Sequence, residues 1–121
     1  MEKLTPKEEE VLQLLWEVKK GFVKELLARM PEPKPHYNTL STIIRNLEEK
    51  GYVGYTAYGT TYEYYPLISQ EQYKENSIAK ILSRYFDNSY KNLVAFFAQE
   101  EKISAEELKE IMEIINKQKN T

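Results

Sequence analysis

This chain of 121 residues has no cysteine, one histidine and four glycines. No apolar run approaches the ~20 residues that a membrane-spanning helix needs. Without cysteine, disulfides and thiolate metal sites are excluded. With His36 as the single histidine there is no HExxH zinc pair, and neither a GxSxG nucleophile elbow nor a glycine-rich phosphate loop occurs. Adjacent carboxylates such as Glu48-Glu49 and Glu106-Glu107 fall in helical stretches. There they read as solvated faces or partners of a helix N-terminal dipole, not as acid/base pairs. No catalytic residue, metal ligand or cofactor is expected, so the chain reads as a non-enzyme. The opening MEKLTPKEEE lacks the apolar core of a signal peptide. A cytoplasmic protein with no direct membrane insertion is the expectation.

An excess of positive charge is also missing. The formal net charge is −2; residues 1–66 carry nine Lys/Arg against ten Asp/Glu, and residues 67–121 carry eight against nine. A nucleic-acid reader usually shows a basic patch. Composition alone therefore argues weakly against such a partner, unless the charges are sorted by face. Charged residues make up 30% and apolar residues 41%, the balance of a globular chain with one domain or two very small ones.

The most informative stretch is HYNTLSTIIRNLEEKGYV, residues 36–53. Leu40, Ile43, Ile44 and Leu47 recur at i, i+3, i+4 and i+7, one face of a helix. The opposite face carries Asn38, Thr42, Arg45 and Glu49, with Ser41 and Asn46 beside them. These are short hydrogen-bonding groups and one guanidinium, unlike an ordinary Lys/Glu solvent face. Gly51 is a helix stop. Two β-type runs follow, Tyr52–Ala57 and Thr61–Tyr65, with Tyr58-Gly59-Thr60 between them. A polar-faced helix running into a hairpin is how a winged helix-turn-helix presents its recognition helix and wing.

Upstream, Thr5-Pro6-Lys7-Glu8 is a capping box with proline at the first helical position. It opens a helix that buries Val11, Leu12, Leu14, Leu15 and Val18, with Trp16 near the seam, and Gly21 is expected to break it. A shorter helix from Val23 to Met30 turns Leu26 and Leu27 inward. Pro31, Pro33 and Pro35 then impose a stiff, extended connection. Helix, connection and second helix make a helix-turn-helix.

Downstream, Pro66 ends the second strand. Ser69-Gln70-Glu71-Gln72 is a second capping box, and its helix carries Ile78, Ile81, Leu82, Tyr85 and Phe86 before stopping at Asp87-Asn88-Ser89. A short helix from Tyr90 to about Gln99 holds Leu93, Val94, Phe96 and Phe97. Ser104-Ala105-Glu106-Glu107 opens the last helix, with Leu108, Ile111, Met112 and Ile115, which is expected to fray into NKQKNT. Three short amphipathic helices bury too little surface to be stable alone. Their stripes need either a partner or the N-terminal domain to pack on.

Several of these segments carry a resemblance. YNTLSTIIRNLEEKGYV is similar to the YTTVxTxLxRLxxKGxV of the penicillinase-repressor family, GTTYEYYPLIS to its wing GRxxxYxP, and the opening helix to its LTxxExxVxxxLW. The resemblance covers nearly the whole chain. It implies an α+β, mostly α fold: a winged helix-turn-helix DNA-binding domain over residues 1–66 and a C-terminal three-helix dimerisation region over residues 67–121. It implies a homodimeric transcriptional repressor on double-stranded DNA with an inverted-repeat operator. Asn38, Thr39 and Thr42 match family contact positions, and Tyr37 matches the family's common tyrosine. Ser41 stands where some members have arginine.

By geometry, Asn38, Thr39, Ser41 and Thr42 can hydrogen-bond in a major groove, and the methyls of Thr39 and Thr42 can touch thymine methyls. Arg45 can fork onto guanine or clamp a phosphate. His36 is read either as a phosphate contact or as a solvated helix-terminal residue. The wing, Tyr58, Gly59, Thr60 and Thr61, has no cation between Gly51 and Tyr73, so its contacts would be uncharged.

By resemblance, Ile78, Ile81, Leu82, Tyr85, Leu93, Phe97, Leu108, Ile111, Met112 and Ile115 would join two copies. The family's inactivating cleavage, triggered by a membrane sensor metallopeptidase, falls at Phe96–Phe97; the bland reading makes these two packing phenylalanines. The family's copper-sensing branch uses a C-terminal cysteine cluster that this chain lacks. Two other functions stay open at this level. One is a ligand-sensing winged helix with a pocket lined by tyrosines such as Tyr85 and Tyr90. The other is a winged helix that binds protein and not DNA.

Overall fold

The structure, a computed structural model, describes residues 2–119. Its chain packs as two compact units, Met1–Lys74 and Glu75–Thr121. It is a mostly helical α+β protein, with six helices and a three-stranded sheet among the described residues.

In the first unit, α1 (Pro6–Val18) starts where the capping box forms. Thr5 Oγ1 accepts from the Glu8 N–H at 3.2 Å, and Glu8 Oε1 accepts from the Thr5 N–H at 2.8 Å. The helix does not stop on Gly21. It ends at Val18, with Lys19 at φ 80° and its N–H donating to the Leu15 carbonyl. Gly21 instead begins β1 (Gly21–Phe22). A Cβ there would sit 3.1 Å from Leu26 Cδ2, so glycine is what lets this strand lie against the next helix.

That helix, α2 (Val23–Arg29), has an N-cap residue, Phe22, with no side-chain acceptor. Glu25 accepts from the Phe22 N–H at 3.0 Å instead. Its C-terminal carbonyls, Leu27 and Ala28, accept from Lys34 Nζ at 3.1 and 2.8 Å, so the proline-rich connection is tied back onto the helix it leaves.

Helix α3 (Tyr37–Glu49) turns Leu40, Ile44 and Leu47 fully inward, with Ile43 half-buried beside them. Its end is a Schellman motif. The Gly51 N–H donates to Glu48 and the Tyr52 N–H to Leu47, with Gly51 at φ 87°. This use of Tyr52 moves the first hairpin strand one residue on from its expected start. The strands are β2 (Val53–Tyr58) and β3 (Thr61–Pro66), and the antiparallel sheet runs β1-β3-β2 with Tyr55 opposite Tyr64 and Ala57 opposite Tyr62. Val11, Leu12 and Leu15 of α1, Leu26 of α2, the three inward residues of α3, and Val53 and Tyr64 of the sheet form one buried cluster.

The start of α4 (Gln70–Tyr85) belongs to this unit. Trp16 Nε1 donates to the Ile68 carbonyl at 2.8 Å, and the Trp16 and Tyr73 rings lie 5.5 Å apart. The second capping box forms here, with Ser69 and Gln72 bonded reciprocally at 3.0 and 3.1 Å.

In the second unit, Asp87 and Asn88 adopt left-handed backbone between α4 and α5 (Tyr90–Gln99), and Ser89 Oγ caps α5. The third box, Ser104 with Glu107, opens α6 (Ala105–Lys119). The expected fraying is not seen through Lys119, which is still helical; Asn120 and Thr121 of that run lie outside the described residues.

One charged contact holds α3 to α1. Glu8, 3% exposed, accepts at 2.6 Å from Lys50 Nζ, which also donates to the Lys3 carbonyl. Burial pushes the Glu8 carboxyl up, but the Lys50 bond and charge and the Thr5 amide outweigh it, and the net position is below the ordinary 4.5. A carboxyl depressed in the folded state stabilises above its unfolded value and loses that stability as pH falls through its folded value. Thermal stability should therefore drop on acidification below about pH 4.5. Lys50→Met leaves the carboxylate uncompensated and should cost about 2–3 kcal/mol at pH 7 in urea unfolding, with the acid loss reduced or reversed. An unchanged acid profile in that variant would refute this role for the pair.

Candidate nucleic-acid interface

The face of α3 opposite its buried stripe is solvent-exposed and aimed at a groove. About 950 Å³ of open space lies between α3, the start of α2 and the wing. From α3 it is lined by Tyr37, Asn38, Ser41, Thr42 and Arg45; from the wing by Thr60, Thr61, Tyr62 and Tyr64; and from the β1–α2 corner by Phe22, Val23, Lys24 and Glu25. Seven of the residues singled out in the sequence thus meet in one place. His36, the N-cap of α3 with no side-chain cap bond, Thr39 and Tyr58 are exposed but do not line the groove. Tyr58 instead lies ring to ring with Phe22 at 5.8 Å.

The groups differ in what they leave free. The Arg45 guanidinium is exposed and makes no ion pair among the described residues. Thr42 spends its hydroxyl proton on the Asn38 carbonyl at 3.0 Å, so it offers a methyl group and oxygen lone pairs outward. Thr61 likewise donates to the Tyr58 carbonyl at 2.8 Å, which closes the wing turn around Gly59, at φ 64°.

The wing is stiffened by tyrosines. Tyr55 and Tyr62 stack at 4.4 Å, and both reach Tyr64 at 5.9 and 6.4 Å. Burial pushes the Tyr64 hydroxyl up, with Glu48 adding to the rise and Arg45 opposing it. Its proton therefore stays in place at neutral pH.

Lys24, Phe22 and Tyr62 did not stand out in the sequence. The signal for Lys24 was a local one: residues 19–29 hold four cations against one carboxylate in a chain that is net acidic. Phe22 carried no such signal, because strand β1 is two residues long and too short to show a period, and Tyr62 read only as one residue of the Thr61–Tyr65 strand.

In the second unit Leu82 is buried within the chain, while Ile78, Leu93 and Leu108 are half-buried. Ile81, Tyr85, Phe97, Ile111, Met112 and Ile115 are exposed, Tyr85 at 74% and Met112 at 62%. Tyr90 is exposed too. Phe96 and Phe97 sit mid-helix on α5 with rings 5.7 Å apart, and Phe96 also meets Phe86 at 5.6 Å. Among the described residues no cluster of His, Cys, Asp and Glu could hold a metal ion, and no helix is long and apolar enough to cross a membrane.

A helix-turn-helix followed by a hairpin wing, with a polar face on the second helix, is the winged-helix class of fold. Residues 4–117 match the family model described as penicillinase repressor, so the chain belongs to the penicillinase repressor family, whose members are transcriptional regulators and not enzymes. It is similar to the methicillin resistance regulatory protein MecI of Staphylococcus aureus (strain N315), 23% identical over 109 residues that span 89% of each chain. It is similar to the penicillinase repressor of Bacillus licheniformis, 23% identical over 112 residues, 92% of this chain and 88% of that one. Among solved structures it resembles an organohalide-sensing transcriptional regulator, RdhR, in its 2,4-dichlorophenol-bound form. There the TM-score is 0.50 at 16% identity, over 98% of this chain and 64% of that chain's length; at that identity the likeness bears on the fold alone.

The two faces of α3 predict opposite sensitivities. Asn38→Ala and Arg45→Ala should change unfolding free energy by no more than about 0.5 kcal/mol. Leu40→Ala or Ile44→Ala should cost about 2–5 kcal/mol. Denaturant titration of the four variants measures both, and a large loss at Arg45 would make it a structural residue.

Proposed function

We propose that this protein is a homodimeric repressor that binds an inverted-repeat operator, each protomer laying α3 in one major groove. Residues 1–66 would read the DNA and residues 67–121 would join the two copies. The observation that carries the reading is the convergence of Asn38, Ser41, Thr42 and an unpaired Arg45 from α3 with Thr60 and Thr61 of the wing on one groove. A helix fits the major groove, about 12 Å wide, and Asn, Thr and Arg are the side chains that read base edges there. His36, Thr39 and Tyr37, at the start of α3, would meet the adjacent backbone and bases.

The exposed apolar side chains of α4, α5 and α6 support a second copy as the missing cover. A permanent homodimer interface typically buries on the order of 2,000 Å² or more, and side chains on all three helices would contribute to it. Family resemblance adds inactivation by proteolysis at Phe96–Phe97, prompted by a membrane sensor metallopeptidase, in a cytoplasmic protein. That bond lies within hydrogen-bonded helix, since the Phe96 and Phe97 carbonyls accept from the Glu100 and Lys102 N–H groups at 3.0 and 2.8 Å. Its cleavage would require α5 to open first.

Two measurements test this. Binding of wild type and Arg45→Ala to operator and scrambled duplexes should show a loss of about 1–3 kcal/mol confined to the operator if Arg45 forks onto a base. A uniform loss on both would make it a phosphate clamp, and no loss on either would remove α3 as the reading head. In sedimentation at micromolar concentration the intact chain should run as a dimer and a chain ending at Phe96 as a monomer with much weaker operator binding, because linkage of two half-sites supplies the avidity. A folded monomer for the intact chain would exclude the dimer.

A further inference from the structure

The groove has a charge problem that its wing does not solve. The turn that closes the wing is Tyr58-Gly59-Thr60-Thr61, and the chain has no cation between Gly51 and Tyr73. A winged helix draws much of its affinity from the phosphate backbone, where cations supply the salt-dependent part and hydroxyls and N–H groups the rest. On this groove Arg45 is one cation, on α3, and Lys24 is the other, on the opposite wall in the first turn of α2. The sequence places Lys24 in the most basic stretch of the chain: Lys19, Lys20, Lys24 and Arg29 fall within eleven residues that include one carboxylate, Glu25.

The neighbours of Lys24 leave it available. Glu25, on the same lining, has its carboxylate held by the Phe22 N–H and forms no ion pair with Lys24, so the groove carries two cations against one carboxylate. Glu63, the other carboxylate near this corner, meets Lys20 at 3.8 Å. Lys24 is exposed and makes no ion pair among the described residues.

We propose that Lys24 is the phosphate anchor of this protein, supplying from the β1–α2 corner the charge that its wing lacks, while Thr60, Thr61 and Tyr62 contact the same strand through uncharged groups. This rests on the DNA-binding reading and adds to it the residue that sets the salt dependence. A backbone clamp at Lys24 also fixes how deep α3 enters the groove, because Lys24 and Arg45 face the same space from two helices.

A phosphate contact carries no sequence information, so it is read on a mixed-sequence duplex with no operator in it. The measurement is affinity of the full chain for such a duplex across salt, for wild type, Lys24→Gln, Arg45→Ala and Lys7→Gln. Lys7 is the control: it lies on α1, pairs with Glu10 at 3.7 Å and is remote from the groove lining, yet its loss changes net charge by the same unit. Lys24→Gln should lower the slope of log affinity against log salt by about 0.9 per protomer bound. The fall in affinity between about 50 and 200 mM salt should then shrink by about 3.5-fold per contact. Operator preference over the mixed duplex should be kept, and Lys7→Gln should match wild type.

A slope for Lys24→Gln equal to that of wild type, with wild type binding the duplex, overturns the proposal and leaves the DNA reading intact. Equal slope changes for Lys24→Gln and Lys7→Gln overturn it as well, since only net charge would then matter. A wild-type chain that binds no duplex at low salt overturns both the proposal and the reading it rests on. Unchanged thermal melting of Lys24→Gln separates lost contact from lost fold.

Discussion

A single buried carboxylate ties the end of α3 to the start of α1. Glu8 is claimed three ways: as the return half of the α1 capping box, as the acceptor for Lys50 at the end of α3, and, through its backbone N–H, as the donor to the Thr5 hydroxyl. Lys50 in turn reaches the Lys3 carbonyl. The start of α1 and the end of α3 are thereby fastened at one point. A buried charge tolerates little displacement from its partner, because each fraction of separation restores desolvation cost that the pairing had offset. The apolar cluster, with Leu40, Ile44 and Leu47 fully buried, supplies the cohesion of the unit and sets the rotation of α3. The buried stripe decides which residues of α3 face outward, and the ion pair ties the end of that helix to the start of α1.

That constraint has a consequence for charge. A chain with net charge −2 can approach a polyanion only if its carboxylates point elsewhere. Glu8 is paired inside and Glu63 is beside Lys20, while Glu25 stays on the groove lining with its carboxylate bonded to the Phe22 N–H. The groove between α3 and the wing is lined by two cations, Lys24 and Arg45, against one carboxylate, Glu25, and by a majority of hydroxyl-bearing side chains. The absence of a basic composition is thus compatible with a locally cationic face. Under the proposed reading such a face gives modest non-specific attraction and leaves a larger share of the binding to hydrogen bonds and to linkage of two half-sites.

Much of this architecture was legible in the residues. The three capping boxes at Thr5, Ser69 and Ser104 all form, because their reciprocal bonds are local and need nothing from the rest of the chain. The inward stripe of α3 follows from its period. The polar face was legible as a face, but its companion wall was not: Lys24 reaches the groove only because β1 pairs with β3 and carries α2 beside the wing. That pairing is long-range and two residues long, and Gly21 read as a helix stop when its lack of a Cβ in fact serves the close approach of Leu26. Half of the motif behind the family resemblance is likewise structural. Lys50 pairs with Glu8, Gly51 holds the positive φ of the helix end, and Val53 is buried, whereas Asn38 and Thr42 are the residues free to face outward.

The second unit obeys the opposite logic. The first is closed on itself by a core, a buried ion pair and Trp16 bonded to the Ile68 carbonyl. The second keeps Ile81, Val94, Phe97, Ile111 and Ile115 in solvent within the single chain. Helices of this length are marginal in water by themselves, so under the proposed dimer α5 and α6 would gain stability from the copy that covers those faces. If the cover is a second copy, the helix that carries Phe96–Phe97 is stabilised by the same association that links the two reading heads. Opening α5 and parting the dimer are then coupled equilibria. Under that reading, anything that binds or cuts the open helix would draw down the dimer by mass action, without having to touch the groove where the DNA would lie.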